Sequence, residues 1–131
     1  MEEKKMSNNI EISIILCSNK LENFKSLISN IQATAENLQS IEVLVGCDVG
    51  DTEFKNYCSS VNSKINIRYH DIYVGDLYDQ HIPMSKLLKL SSNKSYYVLA
   101  LADDMKFLTT GWDTEILKYK NYYEDDIFRL R

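Results

Sequence analysis

The run Ile10-Glu-Ile-Ser-Ile-Ile-Leu-Cys17 is dense in β-branched residues and loses its polar face towards its end. A strand of that kind needs cover on both sides, which helices on a parallel sheet supply. The next segment has a helical period. Leu21, Phe24, Leu27, Ile28, Ile31, Ala35 and Leu38 fall on one face of an amphipathic helix. Ser18-Asn19 offer N-cap side chains just before it.

The alternation continues to the end of the chain. Ile41-Glu-Val-Leu-Val-Gly46 reads as a second strand and runs into Cys47-Asp-Val-Gly-Asp-Thr52, a turn that offers an N-cap to the next helix. That helix carries Phe54, Tyr57, Cys58 and Val61 on one side. Ile65 to His70 alternates and reads as a shorter strand nearer an edge. Pro83 suits the first turn of a helix whose apolar face is Met84, Leu87, Leu88 and Leu90. Tyr96-Tyr-Val-Leu-Ala-Leu-Ala102 reads as the fourth strand, a last helix is expected after Trp112, and Ile127 to Leu130 suggests a fifth strand. The expected fold is α/β: a mostly parallel, Rossmann-like sheet with helices on both faces. Residues 1–9 read as a polar tail and 10–131 as a single domain.

Bulk composition excludes some functions. The net charge of −4 comes with no stripe or run of Lys and Arg, so no nucleic-acid footprint is expected. Cys17, Cys47 and Cys58 are odd in number and lack metal-ligand spacing, which fits reduced thiols in a cytoplasmic protein. No stretch is long and apolar enough to span a membrane, which leaves peripheral association open. His70 and His81 have no Cys or acidic neighbours at ligand spacing.

The chemistry lies at strand ends. Asp48, Asp71 and the pair Asp103-Asp104 each sit at or just after the end of an expected strand, and parallel strands bring their carboxyl ends to one side, where ligands collect. A lone Asp there is as readily a turn former or cap. An adjacent pair is harder to leave ionised without a cation or several donors. Mg²⁺ uses one or two protein carboxylates and completes its shell with water and substrate phosphates. For Trp112 the bland reading is a core plug beneath the loop, with acceptor contact as the alternative, and Asp113 reads as an acid on the N-cap side of the following helix.

Taken together, these motifs resemble the nucleotide-sugar-binding half of a GT-A fold glycosyltransferase of the family-2 type. Ile12-Ser-Ile-Ile-Leu-Cys-Ser18 is similar to the family's opening strand. Ile41 to Thr52 resembles its second strand and Asp-x-Gly-Ser/Asp-Thr turn. Tyr97-Val-Leu-Ala-Leu-Ala-Asp-Asp-Met105 resembles the strand that ends in Asp-x-Asp, and Gly111-Trp112-Asp113 stands at the family's position beyond it. The resemblance implies that Cys17 and Ser18 line the base pocket and that Asp48 bonds the nucleobase, usually uracil. It implies Asp104 as the ligand of Mn²⁺ or Mg²⁺ on the diphosphate of a UDP-sugar or similar donor. Asp103 would contact the ribose or sugar, or assist the metal. Ala102 stands where the motif has its first acid, and Lys86 would substitute for the family's diphosphate-contacting residue.

The acceptor-binding half that such an enzyme needs is not evident, and neither is a general base. Glu124-Asp125-Asp126 reads as a solvated turn. The expected activity is sugar transfer from a nucleotide-diphosphate sugar to an unknown acceptor, with a homo-oligomer or a partner chain completing the acceptor site. The alternative is a non-catalytic binding or interaction domain that retains the fold. A receiver-type signalling domain is disfavoured, because Cys17-Ser18 occupies the place where its acidic pair would stand.

Overall fold

The computed structural model describes residues 10–48, 50–61, 64–71, 81–91 and 95–119, without the side chains of 81–83. The tail 1–9 and the suggested fifth strand at 127–130 lie outside the described residues. Within them the order is β1 (Ile12–Cys17), α1 (Leu21–Thr34), a 3-10 turn (Leu38–Ser40), β2 (Ile41–Cys47), α2 (Thr52–Ser60), β3 (Asn66–Asp71), α3 (His81–Leu90), β4 (Tyr97–Ala100) and α4 (Trp112–Leu117). All four strands are parallel, in the spatial order β3-β2-β1-β4. This is the expected α/β sheet, with β3 at an edge.

Strand order creates the crevice. From β1 the chain steps outward through β2 to β3, then returns to place β4 on the other side of β1. The winding direction reverses between β1 and β4, and in open α/β sheets such a switch point marks where ligands bind. Ile12 pairs with Ile41 on one side and Tyr97 on the other, so the three strands start level.

β1 and β2 are buried along their whole length, as their two-sided apolar sequences require. On one face Ile12, Ile14 and Leu16 of β1, with Val43 and Val45 of β2, pack beneath α1, α2 and Trp112. Phe24 of α1 and Phe54 of α2 join there at 5.0 Å between ring centroids. On the other face Ile15, Cys17 and Leu44 pack against Leu87 and Met84 of α3.

Three local expectations are corrected. Leu88 and Leu90 are 51% and 45% exposed, because α3 meets the sheet along its 84/87 line and these two turn away from it. α1 ends at Thr34, and Ala35 and Leu38 reach the core from its C-cap and the 3-10 turn instead. The N-cap of α1 is Lys20, with no side-chain bond; the hydroxyl of Ser18 is used elsewhere.

The α3 side also holds a polar strip. Glu42, 2% exposed, accepts from the Ser13 hydroxyl and, at 2.9 Å, from Nη2 of Arg68. The same Nη2 donates to the Leu90 carbonyl at 3.1 Å, a cation at a helix C-terminus where the helix dipole favours it.

All three cysteines are free and buried. Burial pushes the thiols of Cys17 and Cys47 up to about 11 and that of Cys58 up to about 12, from a reference of 9.0. The folded thiols therefore keep protons that the unfolded chain releases, and stability should fall as pH rises from about 9 towards 11. Near neutrality they should react with a thiol reagent only after unfolding. Mass spectrometry with and without denaturant checks this; native labelling at the unfolded rate would contradict it.

Candidate functional site

The last ladder bond between β1 and β4 runs from Leu101 N–H to the Ile15 carbonyl, at 3.0 Å. The chain then closes a tight turn, with Met105 N–H donating to the Ala102 carbonyl at 3.2 Å. Asp103 and Asp104 occupy the two central positions. Neighbouring side chains in so tight a turn diverge, and these do: Asp103 is half-buried and Asp104 exposed. Asp103 turns towards β1, where Ser18 Oγ donates to its Oδ2 at 2.7 Å.

Ser18 is well placed to hold that bond. It is 3% exposed, and its own N–H donates to the Gly46 carbonyl at 3.0 Å, tying it to β2. Its Oγ also accepts from Lys20 N–H at 3.2 Å. The Lys20 carbonyl lies 3.3 Å from the same oxygen, but the single hydroxyl proton favours the shorter bond to a charged acceptor.

Next along the rim, Asp48 stands half-buried after β2. The cap role in this turn falls to Asp51, whose Oδ1 accepts from Phe54 N–H at 3.2 Å at the start of α2. Gly50 adopts φ 90° in the same turn. Asp71, the last residue of β3, is ion-paired with Lys55 at 2.7 Å, a bond that raises the Lys55 pKa. Cys47 lies among these groups. After burial, Asp71, Asp51 and Asp48 raise its pKa and Lys55 opposes them, so this part of the rim is acidic.

Beyond the acid pair, residues 105–113 form a strap along α1. Asn30 pins its middle: Nδ2 donates to the Phe107 carbonyl at 3.0 Å and Oδ1 accepts from Phe107 N–H at 2.6 Å. Gly111, at φ 78°, lies so close that a Cβ there would meet Glu36 Oε2 at 3.1 Å. Its N–H donates to the Thr34 carbonyl at 2.6 Å. Trp112 Nε1 donates to Thr34 Oγ1 at 2.9 Å, and its ring stacks on Phe107 with centroids 3.7 Å apart. Trp112 is thus the core plug. Asp113, 1% exposed, lies in the first turn of α4, but its oxygens accept from Glu36 and Asn37 N–H across the strap, each at 2.9 Å. It clamps the α1–β2 connection rather than capping its own helix.

Two other expected site residues, Cys17 and Lys86, make no bond to this pair among the described residues. The Cys17 side chain is packed beneath α3. Lys86 is exposed on α3 and makes no ion pair with Asp103 or Asp104 among the described residues. Glu124-Asp125-Asp126 and the side chain of His81 lie outside what is described. Among the described residues no three of His, Cys, Asp and Glu gather as a metal-binding set, and no helix is long and apolar enough to cross a membrane. A groove of about 470 Å³ between α1 and the strap is lined by Glu22, Lys25, Ser26, Ser29, Asn30 and Lys106.

Sequence reasoning missed Asn30 and the Ser18–Asp103 bond. Asn30 had only a faint signal: an amide between Ile28 and Ile31 in sequence, it lies half-buried at the margin of the apolar face of α1. No family model matches the chain, and a search of curated proteins returns no significant match.

Proposed function

We propose that this domain binds a nucleotide-diphosphate sugar, a UDP-sugar first among them, in the crevice beyond β1 and β4. In this reading it is the donor-binding part of a metal-dependent glycosyltransferase. The observation that supports it best is the turn at the switch point, where Ser18 holds Asp103 at 2.7 Å and Asp104 stands exposed beside it. Asp48, at the end of the next strand but one from β4, is the candidate for the base.

The donor set suits a hard cation: carboxylate oxygen, with no thiol or imidazole required. Asp104 would hold Mn²⁺ or Mg²⁺ with one carboxylate, leaving water and diphosphate oxygens to complete the shell. When bound, such an ion neutralises charge that develops on a leaving diphosphate. The chain itself supplies the fixed turn that presents the carboxylate.

UDP with Mn²⁺ is expected to raise the melting temperature of the wild-type protein, and Asp104→Ala to abolish that rise without altering the far-UV circular dichroism. An unchanged shift in the variant would refute the site. A wild-type shift without sugar transfer or hydrolysis would favour a binding module over an enzyme.

A further inference from the structure

We infer that the outer edge of β4 is an interface between two copies of this chain, paired antiparallel about a two-fold axis at Leu99. This is independent of the donor site proposed for the crevice. The two edges of the sheet differ in kind. β3, at one edge, carries charge at Arg68 and Asp71, the usual protection of an edge against another chain. β4, at the other, has β1 as its neighbour among the described residues, and residues 95–102 contain no charged residue and no proline. An apolar edge left open is a template for another strand. α3 packs over β1 and β2, on Ile15, Cys17 and Leu44. Val98, 38% exposed, and Ala100, also exposed, lie on the same face beyond its cover.

Backbone direction fixes the register. Tyr97 and Leu101 N–H donate to the Glu11 and Ile15 carbonyls, so the odd-numbered residues of β4 face β1. Val98 and Ala100 turn their N–H and C=O outward, where they have no partner among the described residues. The next outward residue, Ala102, is taken up by its own turn: its carbonyl accepts from Met105 N–H at 3.2 Å, and its N–H donates to Met105 Sδ at 3.4 Å. At the other end Tyr96 N–H donates to the Glu11 carbonyl at 2.8 Å. The open edge is therefore Val98 and Ala100, symmetric about Leu99. In an antiparallel copy Val98 opposes Ala100 and the two exchange both backbone bonds, with Leu99 opposite itself. A self-complementary two-fold contact requires that symmetry. Charge selects the same direction. In sequence Lys94 precedes the strand and Asp103-Asp104 follow it. An antiparallel copy brings opposite signs to each end, where a parallel one would set like against like. The two sheets join into one, and each crevice borders the amino end of the other copy's β4.

The test is sedimentation velocity of the full chain from about 1 µM to 1 mM, with amide hydrogen exchange on the same samples. The wild type should pass from monomer to dimer within that range, since so short a contact belongs to the transient class. The Val98 and Ala100 amides should gain protection as it does. Ala100→Pro removes an outward N–H and leaves the bonds to β1 in place, as proline on an edge strand can. It should raise the dissociation constant by about tenfold or more, the scale of losing one backbone bond from each copy. Val98→Lys and Ala100→Glu should each weaken association similarly by putting charge on the open edge. An equal mixture of those two variants should recover it, because the register sets the new charges opposite each other.

A wild type that stays monomeric throughout overturns the inference. In that case amides protected at every concentration would mean that the chain's own residues cover the edge, and unprotected ones that the edge stays open. A dimer that persists in both Ala100→Pro and Val98→Lys would place the contact elsewhere on the molecule. If the mixture fails to recover association, the antiparallel register is wrong, a result that stands even if Ala100→Pro does not fold.

Discussion

Trp112→Ala is expected to destabilise the domain by about 3–5 kcal/mol, the usual cost of truncating a large buried aromatic. The side chain is 5% exposed and stacks on Phe107 at 3.7 Å and 4° between ring planes. Removing it opens a cavity, strips Phe107 of its ring partner and takes a donor from Thr34 Oγ1, 2.9 Å away. The loss should spread along the strap, whose middle depends on Asn30 and Phe107. Trp112→Phe keeps a ring over Phe107 and should cost clearly less, losing the indole hydrogen bond and part of the packing. Because Trp112 is the single tryptophan, its fluorescence reports the strap in the wild type, while the variants need circular dichroism in a urea titration. A loss below about 1 kcal/mol in Trp112→Ala would mean that the strap is not fastened here.

The strap also shows which parts of this protein are legible in sequence. β1 and β2 announce themselves because both faces are buried, so every position in them has to be apolar, small or paired. α1 announces itself through a 3.6-residue period that four buried side chains satisfy. Such signals are local. The bonds that assemble the site are not: Ser18 meets Asp103 only because β4 pairs with β1, and Asp113 meets Glu36 and Asn37 from 77 and 76 positions away. An acid at a helix start looks the same in sequence whether it caps its own helix or clamps a distant loop. Leu88 and Leu90 misled for a related reason, since their period gives a face but not whether anything packs on it.

Glu42 poses a different problem, and it carries the second large expected effect. A carboxylate in the middle of Ile41-Glu-Val-Leu-Val45 contradicts the apolar run around it and has to be reconciled by its neighbours. Arg68 does this from the adjacent strand: β2 and β3 are in parallel register, with Glu42 opposite Asn66 and Leu44 opposite Arg68. Arg68→Met should cost about 2–3 kcal/mol, short of the 3–5 kcal/mol of a fully buried pair because the arginine side chain is 40% exposed and already shares its charge with water. Most of that cost is the carboxylate left behind, not the lost attraction. Glu42→Met combined with Arg68→Met removes the buried carboxylate as well, lets the Ser13 hydroxyl turn to Ser95, and should be more stable than Arg68→Met alone. The bond from Arg68 to the Leu90 carbonyl is absent from both variants, so any recovery in the double variant comes from Glu42. Urea midpoints for the four corners of the cycle decide the matter: single-variant costs that simply add would mean that Glu42 does not depend on Arg68. Recovery would mean that the pair contributes little net stability, and that Arg68 chiefly gives a carboxylate a way to sit in this strand while the same guanidinium holds the end of α3.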